Sequence, residues 1–269
     1  MGELNSGMHF DLTADKPETD KSAVGIDCGS AACKGVLLRN RTVSAMCIKP
    51  TGWSPKETAR SVLEELMERV GTIREAVRVT ATGYGRVGID FADRTVTEIT
   101  CHGLGAEYLL PGVRTVIDIG GQDLKVLSVE NGKVVSFQMN DKCAAGTGRF
   151  LEMSAHRMGI DLSDFPELLK PGKHCSLSSM CAVFADSEIV SLLAAGKSRE
   201  EVAGGIVQSV AARAAALAGR TELEAPVLLT GGLADFDGLR AELERQLGLP
   251  VETDLLSRFA GAIGAALKC

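Results

Sequence analysis

Two segments of the chain carry the same pattern: VGIDCGSAACKGVLL at residues 24–38 and TVIDIGGQDLKVLSV at residues 115–129. In each segment an apolar run typical of a β-strand ends at an aspartate, Asp27 or Asp118, and a glycine-containing turn follows. A lysine stands seven residues after each aspartate. Glycine allows the backbone N–H groups of such a turn to approach an anion closely. Because the pattern occurs twice, it predicts duplicated domains that face each other across a nucleotide-binding cleft.

The composition limits the classes of protein to which this chain can belong. Its 269 residues, of which 45% are hydrophobic, suffice for one large domain or two of ordinary size. The net charge of −6 argues against nucleic acid or an anionic membrane as a partner. No apolar run approaches the roughly 20 residues that a membrane span needs. Residues 1–22 lack the apolar core of a signal peptide and are predicted to be a disordered tail, so we expect a cytoplasmic protein.

The predicted elements come in the same order in both halves of the chain. Three strands open each half and form a meander, and helices and strands then alternate, which predicts an α/β repeat with mixed sheets. The boundaries indicate domains at 23–112 and 113–255, with a C-terminal helix at 256–267 that packs back on the first domain. The strands are predicted at 24–28, 34–39, 43–48, 77–82, 114–119, 123–129, 133–139 and 226–230, and the main helices at 55–70, 88–110, 144–158, 182–195, 198–219 and 235–247.

Three further segments carry a resemblance to known proteins. Together with the two turns, the strand–Gly-Gly–helix pattern at 227–247 resembles the superfamily of acetate kinase, sugar kinases, heat-shock chaperones and actin. NDKCAAGTGRFLE at 140–152 and SSMCAVFADSEIVSLL at 178–193 resemble the activator ATPases of 2-hydroxyacyl-CoA dehydratases. These are related to the ATP-binding subunits of benzoyl-CoA reductase. The resemblance covers residues 23–267 and implies two duplicated actin-like (ribonuclease H-like) domains, each with a mixed five-stranded sheet, and an ATP cleft between them.

The residues of the cleft have expected roles. Asp27 and Asp118 end facing strands, so their carboxylates are expected to hold Mg²⁺, largely through water. The resemblance implies that these two aspartates and Gln122 position the attacking water, and Glu98 is a weaker candidate for ordering it. The implied nucleotide contacts are Ser30, Lys34, Gly120, Gly121 and Gln122 on the β- and γ-phosphates, and Gly231 and Gly232 under the adenosine.

A simpler interpretation of the turns stays open. Either Gly/Asp turn, taken alone, is equally consistent with a plain hairpin. Lys125 is then a solvated strand lysine. The presence of both turns and of the later Gly-Gly pair, in the right order, favours the nucleotide site.

Two of the eight cysteines stand apart from the others. Cys143 and Cys181 are each predicted to precede a helix, and the free N–H groups of a helix N-terminus stabilise a thiolate. A [4Fe–4S] cluster needs four thiolates, and one chain supplies two of this kind. A two-fold homodimer would supply all four. The family resemblance implies the same arrangement.

Other interpretations of the cysteines are weaker but remain. Without an export signal the thiols are expected to stay reduced, and free cysteines are commonly buried as small hydrophobic residues. Cys143 and Cys181 are therefore also consistent with buried thiols of a sugar-kinase-like enzyme. A zinc site drawing on His174, Cys175 and Cys181 has poor spacing.

The expected function is that of a homodimeric, oxygen-sensitive ATPase that passes single low-potential electrons to a 2-hydroxyacyl-CoA dehydratase. A reduced ferredoxin or flavodoxin would load its cluster. The alternatives are the ATP-binding subunit of a benzoyl-CoA reductase-type enzyme, a small-molecule kinase with Asp118 as its base, and a nucleotide-gated scaffold that does not turn over.

Overall fold

The first of two β-sheets is formed by the N-terminal part of the chain. The computed structural model describes residues 22–140, 143–170, 172–178 and 181–269, so the predicted tail lies outside the described residues except for Ser22. The sheet has the strand order β3-β2-β1-β4-β5, in which β1, β2 and β3 are an antiparallel meander and β4 and β5 add in parallel. Its strands are Ser22–Cys28 (β1), Ala32–Arg39 (β2), Thr42–Pro50 (β3), Val77–Thr82 (β4) and Arg94–Thr95 (β5).

The second sheet repeats this topology. Its order is β10-β9-β6-β7-β8, with an antiparallel meander on one side of β6 and two parallel strands on the other. Each sheet therefore has five strands, and the strand with the aspartate as its last residue but one lies at its centre. This confirms the duplicated α/β fold. The strands are Thr115–Ile119 (β6), Leu124–Glu130 (β7), Lys133–Asn140 (β8), Val227–Gly231 (β9) and Val251–Glu252 (β10).

The helices begin and end largely where the capping residues predict. Ser54 accepts a hydrogen bond from the backbone N–H of Glu57 and opens α1, and Ser198 forms a capping box with Glu201 at the start of α5. None of the helices in the described part of the chain is long and apolar enough to cross a membrane. The helices are Pro55–Val70 (α1), Glu98–Leu109 (α2), Gly148–Met158 (α3), Ala182–Ala194 (α4), Arg199–Ala218 (α5), Asp237–Leu247 (α6) and Ala260–Ala266 (α7).

The predicted helix at 88–110 is wrong over its first part. A 3₁₀ helix at Tyr84–Gly88 and the short strand β5 precede α2, which begins only at Glu98. The side chain of Asp93 holds this segment in a non-helical conformation. Its carboxylate accepts a hydrogen bond from the N–H of Val79 (2.8 Å) and pairs with Arg74 (3.1 Å), which ties the segment to the edge of β4.

The predicted helix at 144–158 also begins later than expected. The helix starts at Gly148, because residues 144–147 form a separate turn that Thr147 closes onto Ala144. The N–H and the hydroxyl of Thr147 both bond the carbonyl oxygen of Ala144, at 3.1 and 2.6 Å. Cys143 therefore precedes an irregular turn and not the helix itself.

The two sheets are joined through a pair of closely packed helices. α7 covers the first sheet against β1, α2 packs on the second sheet against β7 and β8, and the two helices contact each other. Glycines make this contact possible: a Cβ at Gly105 of α2 would lie 1.9 Å from the carbonyl oxygen of Ala260 in α7. A Cβ at Gly264 would lie 1.8 Å from the carbonyl oxygen of Cys101. The close approach brings the aspartate-bearing ends of β1 and β6 to one cleft.

Candidate functional site

A cleft of about 290 Å³ lies between the two sheets. Both glycine turns line it, one from each sheet, as does the Gly-Gly pair after β9. The structure thus brings together every residue that the sequence assigned to nucleotide or metal-ion binding in the cleft. These residues are Asp27, Ser30, Lys34, Asp118, Gly120, Gly121, Gln122, Gly231 and Gly232, and the weaker candidate Glu98 lies beside them.

The aspartate–lysine spacing has a structural meaning. In the antiparallel pairs, Asp27 lies directly opposite Lys34, and Asp118 lies directly opposite Lys125. Each lysine is therefore the cross-strand partner of its aspartate, within reach of its carboxylate. The spacing of seven residues in the sequence therefore follows from the hairpin, in which a short turn joins the strand of each aspartate to the strand of its lysine.

The two turns have the same backbone geometry and contact each other across the cleft. The N–H of Gly29 donates to the carbonyl oxygen of Ala32 (3.1 Å), and that of Gly120 donates to the carbonyl oxygen of Asp123 (2.9 Å). A Cβ at Gly121 would lie 2.8 Å from the Cβ of Ala31. Glycine at this position keeps the two turns close.

The two glycines at the end of β9, Gly231 and Gly232, are needed for different reasons. Gly231 has φ +92°, and a Cβ there would lie 2.4 Å from the carbonyl oxygen of Ile119, so the fold itself requires glycine. A Cβ at Gly232 would meet no protein atom within 4 Å. Gly232 lines the cleft, so any need for glycine there comes from a ligand.

Asp118 is a buried carboxylate held in its ionised form. Its Oδ1 accepts a hydrogen bond from Thr230 Oγ1 (3.0 Å) and lies 3.5 Å from His102 Nδ1, and its Oδ2 lies 3.2 Å from Lys125 Nζ. Burial acts to raise the pKa of Asp118, but the charges of His102, Lys125 and Lys34 outweigh it and lower the pKa well below its usual range.

Asp27 is shifted in the opposite direction. Burial raises the pKa of its carboxyl, and Glu98 and Asp118 add to this, against the lowering effect of Lys34 and His102. Its Oδ1 is buried and has no hydrogen-bond partner among the described residues. Two carboxylates with opposite pKa shifts in one cleft are typical of a functional site.

Lys125 is not the solvated strand lysine that the simpler interpretation predicts. It is only 1% exposed, and its Nζ contacts Glu98 (2.8 Å), Asp118 (3.2 Å) and Asp123 (2.8 Å). Burial acts to lower the pKa of Lys125, but the three carboxylates outweigh it and raise the pKa above its usual range. One buried cation thus holds three carboxylates, one each from α2, β6 and the second turn.

His102 is a residue of the cleft that the sequence analysis missed. It lies on α2, and its Nε2 is 3.8 Å from Glu98 Oε1, one helical turn away. Together Glu98, His102 and Asp118 are a group whose ligand atoms all lie within 4.8 Å of one another. The available signal was the i, i+4 spacing of Glu98 and His102 on a helix between the two turns.

The second turn is bonded to the helix that follows Cys143. The N–H of Gly148 donates to the carbonyl oxygen of Gly120, and the N–H of Arg149 donates to that of Gly121, both at 2.9 Å. α3 in turn is joined to α4 by an ion pair of Arg157 with Asp186, in which Arg157 Nε lies 2.6 Å from Asp186 Oδ1. α3 and α4 are therefore linked to each other and to the cleft.

The two candidate cluster cysteines are both partly exposed. Cys181 is the N-cap residue of α4, as the sequence predicts. Cys143 lies five residues before α3, so the expectation that it directly precedes a helix is wrong. The other cysteines on strands and helices, among them Cys28, Cys47 and Cys101, are buried in the core as expected.

The alternative zinc site finds no support in residues 172–178 and 181–269. Within the described ranges, His174, Cys175 and Cys181 do not form a cluster of metal ligands. Cys175 is buried, and its backbone N–H donates to the carbonyl oxygen of Glu201 (2.9 Å), which orients this loop toward α5.

Comparison with known proteins agrees with this geometry. Residues 24–268 match the BadF/BadG/BcrA/BcrD ATPase family. The chain belongs to this family. It is 44% identical over 248 residues to the (R)-2-hydroxyglutaryl-CoA dehydratase activating ATPase of Acidaminococcus fermentans, a match that covers 91% of this chain and 95% of that protein.

Solved structures of two members show the same fold. The crystal structure of A. fermentans (R)-2-hydroxyglutaryl-CoA dehydratase component A has a TM-score of 0.89 and 41% identity, and the match covers 93% of this chain and 97% of that one. The activator of the 2-hydroxyisocaproyl-CoA dehydratase from Clostridium difficile, solved with bound ADPNP, has a TM-score of 0.88 and 38% identity over 92% and 93% of the two chains. The expected actin-like ATPase fold is thereby confirmed.

Proposed function

We propose that this chain is the ATP-dependent activator of a 2-hydroxyacyl-CoA dehydratase. ATP would bind in the cleft between the two sheets, and Cys143 and Cys181 of two copies of the chain would together hold one [4Fe–4S] cluster. The proposal is supported by membership of an ATPase family and by relatives that are activators of such dehydratases. The cleft and the two partly exposed cysteines are the features of this chain that fit it.

The residues of the cleft fit a nucleotide with Mg²⁺. Ser30 and Lys34 would contact the phosphates from the first turn, and Gly120, Gly121 and Gln122 from the second, where close backbone approach is possible. The buried Asp27 Oδ1 has no hydrogen-bond partner in the described part of the chain, and a hydrated divalent cation is a suitable one. Mg²⁺ would supply charge neutralisation at the phosphates.

Within this site, Asp118 acts as a fixed negative charge. Its lowered pKa keeps it ionised, so it accepts hydrogen bonds from the metal's water shell or from the attacking water. Gln122 lines the same cleft and would orient that water together with Asp27. Lys125 holds Asp118 and Glu98 in place, so neither carboxylate has to reorganise when the reaction begins.

The two thiols fit a shared cluster in their chemistry and exposure. Neither is fully buried, and Cys181 at the start of α4 lies where free backbone N–H groups stabilise a thiolate. A bound [4Fe–4S] cluster would supply one-electron chemistry at low potential. We further propose ferredoxin or flavodoxin as the electron donor and the dehydratase as the acceptor.

One observation carries the proposal: the two backbone hydrogen bonds from the start of α3 to the second turn. They connect the part of the chain that would contact phosphate with α3, which begins five residues after Cys143. A nucleotide that binds two arrangements of this turn with different affinity would therefore bias the position of α3 and, through the Arg157–Asp186 pair, of α4.

Isolation of the full chain without oxygen tests this function. We expect a brown homodimer with four iron and four sulfide per two chains, as one shared cluster requires. It should hydrolyse ATP without any phosphate acceptor. A colourless, iron-free monomer would contradict the cluster, and hydrolysis that depends on a hydroxyl or carboxylate acceptor would identify a small-molecule kinase instead.

A further inference from the structure

We propose that Cys28 and Cys33 are a modification site: a dithiol that hydrogen peroxide converts reversibly to a disulfide across the first turn of the cleft. The two cysteines are cross-strand partners at the point where β1 ends and β2 begins. Both are fully buried, and neither takes part in the proposed nucleotide or cluster chemistry. Their side chains leave the same face of the sheet from directly opposite positions.

The register places the pair at a position that suits a disulfide. Gly29 and Ala32, the next pair toward the turn, are joined by the hydrogen bond from the N–H of Gly29. Bonded and non-bonded pairs alternate along an antiparallel ladder, so Cys28 and Cys33 form a non-hydrogen-bonded pair with Cα atoms about 4.5 Å apart. Disulfides span Cα separations of about 4.4–6.8 Å and most lie at about 5.5–6 Å, so this register allows the bond and the bond would move the two strand ends apart by about 1 Å.

On the side of Cys28 the pair is covered by the start of α1 and by the 3₁₀ helix Tyr84–Gly88. Its Sγ lies 3.7 Å from the carbonyl oxygen of Pro55, and a Cβ at Gly85 would lie 2.9 Å from the same sulfur. Gly85 belongs to the 3₁₀ helix whose neighbours Tyr84 and Val87 are largely exposed. A local opening of this short, largely exposed 3₁₀ helix would admit a molecule as small as hydrogen peroxide.

The oxidation balances with a hydroperoxide as its only co-reactant. The Cys28 sulfur attacks one peroxide oxygen, the O–O bond breaks, and the thiol proton leaves with the other oxygen as water, which gives a sulfenic acid. The Cys33 sulfur then displaces the sulfenic oxygen, and its own proton completes a second water. Two thiols lose two electrons and two protons, and one peroxide becomes two waters. A dithiol reductant reverses the reaction by thiol exchange.

The disulfide would act on the cleft because the pair encloses the first turn. Asp27 and Lys34 lie directly beside the two cysteines, and the turn itself carries Ser30. Ala31 packs against Gly121 of the second turn, so a shift of the first turn also displaces the second. We therefore expect the oxidised chain to hydrolyse ATP more slowly. This effect on hydrolysis rests on the proposed function, but the formation of the disulfide is independent of it.

Peptide mapping tests the modification independently of any activity. The full chain, isolated without oxygen, is treated with hydrogen peroxide, unfolded, alkylated and digested with trypsin. The fragment 22–34 contains Cys28 and Cys33 and no other cysteine. We expect it unalkylated and two hydrogen atoms lighter than the dithiol, and alkylated at both positions after treatment with dithiothreitol. A fragment that stays alkylated, or that carries sulfinic acid without a disulfide, overturns the proposal.

Matched variants locate the effect on hydrolysis. Cys33→Ala should be insensitive to the peroxide dose that inhibits the wild type, and Cys28→Ala is the second variant should the first fail to fold. Cys47 is a buried cysteine on the neighbouring strand, so Cys47→Ala should still form the disulfide and lose activity on oxidation.

Inhibition of about tenfold or more is expected, because a displacement of about 1 Å in a reacting site costs up to ~100-fold in rate. A disulfide that forms without slowing hydrolysis overturns the regulatory part alone, and equal inhibition of Cys33→Ala assigns the loss to another site.

Discussion

Lys125 Nζ lies 3.2 Å from Asp118 Oδ2, and both side chains are almost wholly excluded from solvent. Asp27 and Lys34 occupy the equivalent positions in the first sheet, but there the lysine lines the cleft. The duplicated pattern has thus diverged. Lys34 is available to a ligand, whereas Lys125 holds together Asp118, Asp123 and Glu98 of α2.

Replacement of Lys125 with Met should destabilise the protein strongly. The change keeps the length of the side chain but leaves Asp118, Glu98 and Asp123 without their shared cation. Removal of one partner from a buried ion pair costs about 3–5 kcal/mol, so the free energy of unfolding at neutral pH should fall by about that amount. Denaturant titration measures it, with Lys133→Met, an exposed lysine of β8, as the control. A loss no larger than in the control would show that the cluster contributes no net stability.

The two cleft aspartates should respond to pH in opposite ways. The folded-state pKa of Asp118 is lowered, so its ionised form contributes stability above its unfolded pKa of about 3.9, and this is lost as the pH falls toward the folded pKa. The folded-state pKa of Asp27 is raised, so its ionisation removes stability as the pH rises through that value. Asp118→Asn should therefore be less stable than the wild type at pH 7, and Asp27→Asn more stable.

Denaturant titrations between pH 3 and 8 distinguish these curves. Both differences from the wild type should shrink as the pH falls from about 4 to 3. The carboxyl of Asp27 is then protonated in both states, whereas Asp118 takes up a proton in the unfolded chain only, which removes part of its stabilising effect. Two variants that shift in the same direction would contradict the electrostatic assignment of the pair.

Adjacent glycines separate folding from ligand binding. Gly231→Ala forces a side chain to within 2.4 Å of the Ile119 carbonyl oxygen at φ +92°, so it should lower the thermal midpoint and weaken ATP binding together. Gly232→Ala meets no protein atom within 4 Å and should leave the thermal midpoint unchanged. If the adenosine lies over this pair, Gly232→Ala should still weaken ATP binding, as measured by calorimetry. Unchanged affinity in Gly232→Ala would move the adenosine elsewhere in the cleft.

The cysteine assignment predicts separate sites for iron and nucleotide. Cys143→Ser and Cys181→Ser should each abolish iron binding after anoxic isolation and preserve most ATP affinity, because neither residue lines the cleft. Cys269→Ser changes a thiol that hydrogen-bonds Thr80 in the first domain and is the matched control, with full iron content expected. Retention of iron in both Cys143→Ser and Cys181→Ser would remove them as ligands.

Much of the fold could be predicted because local signals agree with the tertiary structure. The two strand–turn–strand segments, the Asn131-Gly132 hairpin with positive φ at both residues, and the Ser198 capping box are all short-range features. The helix predicted at 88–110 failed because Asp93 bonds to Val79 and Arg74, which are distant in sequence. The hydrophobic pattern within residues 88–110 carries no information about hydrogen-bond partners outside that segment.

The cleft was predictable in its residues but not in its electrostatics. Glycines and aspartates in two copies of one pattern located both turns. Whether Lys125 reaches solvent depends on Glu98, which α2 brings to it only in the folded chain. His102 was missed for the same reason, since its role beside Asp118 comes from the packing of α2 against α7.

The Arg157–Asp186 ion pair provides the last prediction, on coupling between the cleft and the cysteines. It joins α3, whose first residues bond to the second turn, to α4, which begins at Cys181. ATP is expected to change the rate at which the chelator bathophenanthroline removes iron, since α3 and α4 carry the change at the turn to the cysteines. Arg157→Gln should reduce this ATP effect and leave ATP hydrolysis intact. Addition of Asp186→Asn should reduce the ATP effect no further, because both changes break the same ion pair.

Arg245→Gln is the control for this prediction, because it breaks an exposed pair with Glu242 on α6 and should keep the full ATP effect. An ATP effect of wild-type size in Arg157→Gln would show that the coupling takes another route.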